Sequence, residues 1–245
     1  MKSRAKGAVH SAVHLARPGV VLPFGVTVWL YGGTDKSTHG YAQAYGRHLS
    51  ALRYRTNRVL EIGVGGWTPT DHFRHVEPGG SLRVWRDYLP RSIIVGLDIE
   101  HKNVRLGSRV KFIQGDQSSS NDLARVVDAL GAPPNIVVDD GSHLAGHARA
   151  SFSYLFPLMP PGSLYVIEDL HTSYWDSAGG ARVAPESTAV GLAKDLIDAV
   201  QVQDPTFVRR PDRGQPPEVI DVNVAELHVY PGICFIVKSA RLNRE

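Results

Sequence analysis

Two short stretches carry acidic pairs: VVDDGSH over residues 137–143 and VIEDLH over residues 166–171. Adjacent carboxylates repel one another, so Asp139-Asp140 and Glu168-Asp169, each directly after an apolar run, call for a positive partner. Asp140, Glu168 and Asp169 offer an oxygen-only ligand set. Hard oxygen ligands suit Mg²⁺, which keeps positions open for water or substrate oxygens. A divalent ion on a hydroxyl oxygen stabilises the alkoxide that develops as the proton leaves, and a nearby base must take that proton. His143, three residues after Asp140, is placed to be that base. His147 is the rival; on a helix over 144–150 it shares a face with His143 and supports it instead. A plainer reading stands beside both, with Asp139 or Asp140 as a helix N-cap and His143 as a structural or solvated histidine.

These residues act together only if the chain brings the two stretches side by side. RVLEIGV (58–64), SIIVGLDI (92–99), VKFIQGD (110–116), NIVVDD (135–140) and SLYVIEDL (163–170) read as buried strands. Between them, GGSLRVWRDYLP (79–90), NDLARVVDALG (121–131) and AGHARASFSYLFPLM (145–159) read as helices, the second closed by Gly131. Such alternation specifies a parallel sheet with helices on both faces. VIDVNVAELHVY (219–230) and ICFIVKS (233–239) flank Pro231-Gly232, which makes a C-terminal antiparallel hairpin. Residues 1–56, helical in pattern around 41–54, are expected to cap or lid a Rossmann-like core over 57–245, all in one domain.

Ligands of open parallel sheets sit beyond the carboxyl ends of the strands. Those ends carry Glu61, Asp98, Asp116, Asp139-Asp140 and Glu168-Asp169, more acids than N-capping alone explains. EIGVGG (61–66) is a Gly-rich turn without the full dinucleotide fingerprint, and no P-loop lysine follows. Glycine is also the ordinary solution for a tight turn, so the pattern is weak by itself. Glu61 would repel a pyrophosphate but suits a cationic ligand. Asp98 suits a ribose diol. An adenosine ligand with positive charge and no phosphate satisfies both, and S-adenosylmethionine is that ligand.

LEIGVGG, GLDI, GDQ and the acidic end of the fourth strand resemble the ordered motifs of class I S-adenosylmethionine-dependent methyltransferases. The stretch from GTDKSTHGY (33–41) through VVDDGSH to YVIEDLHTSYW (165–175) resembles, more narrowly, the actinobacterial metal-dependent sugar O-methyltransferases. That family includes macrolide deoxysugar enzymes and a mycobacterial enzyme acting on methylmannose polysaccharide precursors. The resemblance implies cofactor contacts from Thr34, Glu61, Gly63, Gly65, Asp98, Asp116, Gln117 and Asp139. It implies Asp140, Glu168 and Asp169 as Mg²⁺ ligands, with His143 as catalytic base beside Asp140. A sugar hydroxyl is then the acceptor: a methylated mannoside, or alternatively a macrolide-type deoxysugar, with a catechol-type small molecule as a third acceptor class. GTDKST (33–38) is either a loop closing over the cofactor or a simple helix entry, and HTSYWDSAGG (171–180) an aromatic lip for the acceptor.

Bulk properties restrict the remaining classes. Of 245 residues, 42% are hydrophobic and 21% charged, with a net charge of +3. The pI near 9.0 is too mild to imply nucleic acid. Arg209, Arg210 and Arg213 form the densest late basic group, read as solvated surface. The single cysteine, Cys234, excludes an intramolecular disulfide and reads as a small core residue. VVLPFGVTVWLY, after a basic start, is too short to span a bilayer. The expectation is an uncleaved cytoplasmic enzyme, a homo-oligomer and most simply a dimer. A non-catalytic binding module or a nicotinamide oxidoreductase is the competing class.

Overall fold

The structure, a computed structural model, describes residues 22–31, 34, 36, 39–65, 78–204 and 223–239. Its strands are β1 (Arg58–Ile62), β2 (Ile93–Asp98), β3 (Val110–Gln114), β4 (Ile136–Asp139), β5 (Leu164–Ile167), β6 (Val224–Tyr230) and β7 (Ile233–Lys238). They form one sheet in the order β3-β2-β1-β4-β5-β7-β6. The first five run parallel, and β7 pairs antiparallel with β5 and with β6. The Rossmann-like fold with a C-terminal hairpin is borne out. β4 and β5 are neighbours, with Asp139 opposite Ile167, so both acidic pairs emerge at one point of the sheet edge.

The helices are α1 (Phe24–Tyr31), α2 (Ala42–Leu49), α3 (Gly80–Tyr88), α4 (Ser120–Leu130), α5 (His147–Leu158) and α6 (Ala189–Gln201). Because strand side chains alternate between faces, each strand feeds two cores. Val59, Val138, Val166 and Phe235 pack with α1–α3, against Phe24, Tyr45, Leu82 and Trp85. Leu60, Val137, Tyr165 and Cys234 pack with α4–α6, against Leu123, Phe152, Phe156 and Leu196. Phe24 joins the N-terminal segment to the first core, its ring 5.4 Å from Trp85 and 5.0 Å from Tyr88. α4 starts where Ser119 Oγ accepts the Asp122 amide at 3.3 Å and stops at Gly131, whose φ of 75° closes the last turn.

Four elements depart from the sequence expectation. α1 and α6 were not anticipated, although Thr188 caps α6 by accepting from the Gly191 amide and Leu192, Leu196 and Ala199 make a buried stripe. The expected fifth strand stops at Ile167, and Leu170–Tyr174 forms a 3-10 turn. β3 stops at Gln114, which leaves Asp116 in the loop beyond it. The first part of the 219–230 strand and the Arg209–Arg213 group lie outside the described residues. No helix among the described residues is long and apolar enough to cross a membrane.

Candidate active site

Strand alternation separates each acidic pair. Asp139 continues the β4 face that carries Val137 and points under α5. There it accepts hydrogen bonds from Ser151 Oγ at 2.5 Å, Gln117 Nε2 at 3.1 Å and Tyr165 Oη at 3.2 Å. Burial raises its carboxyl pKa, and the three donors oppose that shift. Asp139 thus braces the end of β4 from below. Asp139→Ala should leave the buried Gln117 amide without its acceptor, while Ser151 keeps the His147 and Ala148 carbonyls and Tyr165 keeps Ser151 Oγ. It should destabilise the fold by about 1–3 kcal/mol, read by urea unfolding. An unchanged midpoint would show that the network carries no stability.

Asp140 emerges on the opposite side, where its Oδ1 lies 3.9 Å from His143 Nε2. The same nitrogen is 3.6 Å from Asp169 Oδ2. Ligand atoms of Asp140, His143 and Asp169 all fall within 4.8 Å of one another. Among the described residues, His143 (φ 56°) and Asp169 (φ 53°) are the two non-glycine positions with left-handed backbone. Such strain persists only where the surrounding structure imposes it, and it clusters at working sites. Asp169 is held from its other side by Tyr41 Oη, which donates to Oδ1 at 2.8 Å and to the Gly232 carbonyl at 3.1 Å. Burial and Asp169 both push the Tyr41 phenol upward, so it stays a donor. His39 Nδ1 approaches the same Oδ1 at 3.4 Å.

Glu168 lies on the α1–α3 side with Glu61. It is buried, accepts from Tyr45 Oη and pairs with Lys36 Nζ at 2.9 Å. Its Oε2 is buried without a hydrogen-bond partner. Lys36 also contacts Asp140 Oδ2 at 2.9 Å and Glu61 Oε1 at 3.4 Å. Glu61 is fully buried and accepts from Ser81 Oγ at 2.7 Å. Lys36, Tyr41, Tyr45 and His39 were not singled out from the sequence. Their signal was present: several converging acids demand donors and a counter-charge, and GTDKSTHGY supplies a lysine, a histidine and a tyrosine.

The glycine turn approaches the same point. A Cβ on Gly63 (φ 82°) would sit 1.8 Å from the Asp140 carbonyl oxygen, so only glycine lets the β1 and β4 turns meet. Gly65 (φ 63°) borders open space. Asp98 ties the turn to β2, accepting from the Val64 amide at 3.0 Å and the Glu100 amide at 2.9 Å. Asp116 accepts from the Ser118 amide at 2.7 Å and hydroxyl at 2.8 Å, which lowers its carboxyl pKa. Gln117 is wired inward, donating to Asp139 and accepting from the Ser142 amide at 2.8 Å. Thr34 Oγ1 accepts from the Lys36 amide at 3.4 Å. Gly66 lies outside the described residues. His147 opens α5 and faces Ser142 Oγ at 2.8 Å, while His143 faces the carboxylates. In the 171–180 stretch, His171 and Trp175 rings meet edge-on at 4.9 Å, and Tyr174 and Trp175 are about half exposed.

No protein-family model matches the chain. Curated relatives do. Mycinamicin VI 2''-O-methyltransferase of Micromonospora griseorubida is 44% identical over 204 residues, covering 82% of this chain and 48% of the relative. Demethylmacrocin O-methyltransferase of Streptomyces fradiae is 42% identical over 206 residues, covering 83% of this chain and 49% of the relative. The chain belongs to the actinobacterial sugar O-methyltransferases. A solved structure of this family, the MycE methyltransferase of the mycinamycin biosynthetic pathway in complex with Mg, SAH and mycinamycin VI, superposes with a TM-score of 0.75 at 39% identity. That match covers 89% of this chain and 54% of the MycE chain. The chain therefore spans about half the length of the family members it matches. For a sugar O-methyltransferase binding a divalent ion, this site fits on its own terms. Asp140 and Asp169 converge as hard oxygen donors, and the unpartnered buried Oε2 of Glu168 is acceptor capacity that a cation would satisfy.

Proposed function

We propose that the chain transfers a methyl group from S-adenosylmethionine to a sugar hydroxyl, with Mg²⁺ bound by Asp140, Glu168 and Asp169. The observation that carries this reading is the convergence of Asp140, His143 and Asp169 where the neighbouring strands β4 and β5 end. The ion supplies Lewis-acid stabilisation of a developing alkoxide. His143 Nε2 takes the hydroxyl proton, and Asp169 Oδ2, 3.6 Å away, stabilises the imidazolium that results. Tyr41, bonded to Asp169 at 2.8 Å, keeps that carboxylate aimed at the imidazole. Asp98 receives the ribose hydroxyls of the cofactor. The turn at Gly63 and Gly65 would admit its methionine half, with Glu61, buried against Ser81 and Lys36, as the acidic residue under that turn. Asp116 and Thr34 complete the cofactor side, Gln117 bracing it from within through Asp139 and Ser142, and the exposed rings of His171, Tyr174 and Trp175 offer apolar faces to the acceptor.

The acceptor reading favours a deoxysugar on a macrolide-type natural product over a methylmannose precursor. The relatives named above carry macrolide acceptors in their names, as in mycinamicin VI and demethylmacrocin. A further relative is a rhamnosyl tetracenomycin 2'-O-methyltransferase of Streptomyces olivaceus, 40% identical over 210 residues. The test is mass spectrometry of products from a panel of demethylated macrolide glycosides, mannosides and catechols with S-adenosylmethionine. Methylation confined to the macrolide glycosides is expected. Products from mannosides alone would move the acceptor to the polysaccharide class, and products from catechols alone would overturn the sugar reading.

A further inference from the structure

Lys36 holds a position that the reaction as described does not use. Its Nζ sits 2.9 Å from Asp140 Oδ2, 2.9 Å from Glu168 Oε1 and 3.4 Å from Glu61 Oε1, and its side chain is fully buried. Buried charges are tolerated only where opposite charges and hydrogen bonds compensate their lost hydration. One ammonium among three carboxylates compensates in part. The cluster holds an internal cation and still has an unsatisfied acceptor, Glu168 Oε2.

We infer that Lys36 is a resident counter-cation that exchanges with the metal ion, holding Asp140 and Glu168 while the ion is absent and giving up Asp140 when it binds. This rests on the reading of Asp140, Glu168 and Asp169 as metal ligands. An ion on Asp140 and Glu168 would share both carboxylates with an ammonium already 2.9 Å from each, and two like charges so close repel strongly in a dry site. A lysine can yield, since its charge rides on a flexible four-carbon stem. It has somewhere to go. Glu61 remains at 3.4 Å, and the Trp85 ring lies 5.8 Å from Nζ, within cation–π reach. The exchange keeps buried carboxylates compensated in both states, and it sets the metal affinity below what the bare carboxylates would give.

The test is Mn²⁺ binding followed by the electron paramagnetic resonance of the free ion, with no turnover required. Folded Lys36→Met is expected to bind Mn²⁺ at least roughly tenfold tighter than the parent, as removal of a nearby like charge requires. Equal or weaker binding by the folded variant overturns the exchange. If Lys36→Met does not fold without metal, the parent alone decides, by crystal structures with and without Mg²⁺. Lys36 Nζ should leave hydrogen-bond reach of Asp140 Oδ2 when the ion is bound and stay beside Glu61. An Nζ that keeps its bond to Asp140 in the Mg²⁺-bound crystals contradicts displacement. A parent that binds no Mn²⁺ removes the metal reading together with this one, whereas normal parental binding with an indifferent Lys36→Met removes only the role of Lys36.

Discussion

His143→Asn is expected to lose roughly 10²–10⁴-fold in kcat, the usual worth of a positioned proton acceptor. Asparagine is the informative replacement because His143 has a φ of 56°. Asn adopts left-handed backbone readily, whereas Ala would add about 1–2 kcal/mol of strain and blur the interpretation. Binding of S-adenosylhomocysteine and the melting temperature should stay near parental values, since His143 is partly exposed and the proposed role has it meet the acceptor, not the cofactor. His147→Ala is the matched control. That ring bonds Ser142 at 2.8 Å and should tolerate loss with little effect on kcat. Steady-state kinetics of the two variants separate the possibilities. A loss confined to His147 moves the base to the start of α5, and normal turnover in both leaves the ion alone to activate the hydroxyl.

Asp140→Asn should lose activity through the ion. The substitution keeps shape and one oxygen ligand but removes the charge that a hard cation seeks. The Mg²⁺ concentration for half-maximal rate should rise by at least the roughly 10–100-fold that perturbing even the outer partners of metal ligands costs. Initial rates across a Mg²⁺ series check this directly. An unchanged half-saturation would take Asp140 away from the ion and leave it as a partner of Lys36 and His143.

Much of the fold was legible because the chain alternates short β-rich apolar runs with helix-period segments and ends in a Pro-Gly hairpin. The acidic ends of β4 and β5 were legible for the same reason, since parallel order places consecutive strand ends together. The adjacent aspartates could not be told apart until strand alternation was visible in three dimensions. Asp139 follows Val137 toward α5 and spends its lone pairs on Ser151, Gln117 and Tyr165, while Asp140 follows Val138 toward Lys36. Gln117, expected toward the cofactor, is turned inward by the same network. Lys36 escaped notice because a lysine in a polar loop reads as solvent-exposed. Its burial depends on acids more than 20 residues away that no local pattern connects to it. α1 was hidden for a related reason: a helix apolar on all sides has no polar face to give it periodicity, and Pro23 and Gly25 look like breakers until Pro23 is seen just before the first turn.

Metal dependence is the claim on which the site stands or falls. The decisive measurement is methyl transfer to a demethylated macrolide glycoside by protein dialysed against EDTA, before and after Mg²⁺ is returned, with S-adenosylhomocysteine binding followed in parallel by calorimetry. Turnover should vanish in the chelated protein and return with Mg²⁺, while cofactor binding persists because the ion serves the acceptor. Full turnover in metal-free protein would contradict the roles given to Asp140, Glu168 and Asp169.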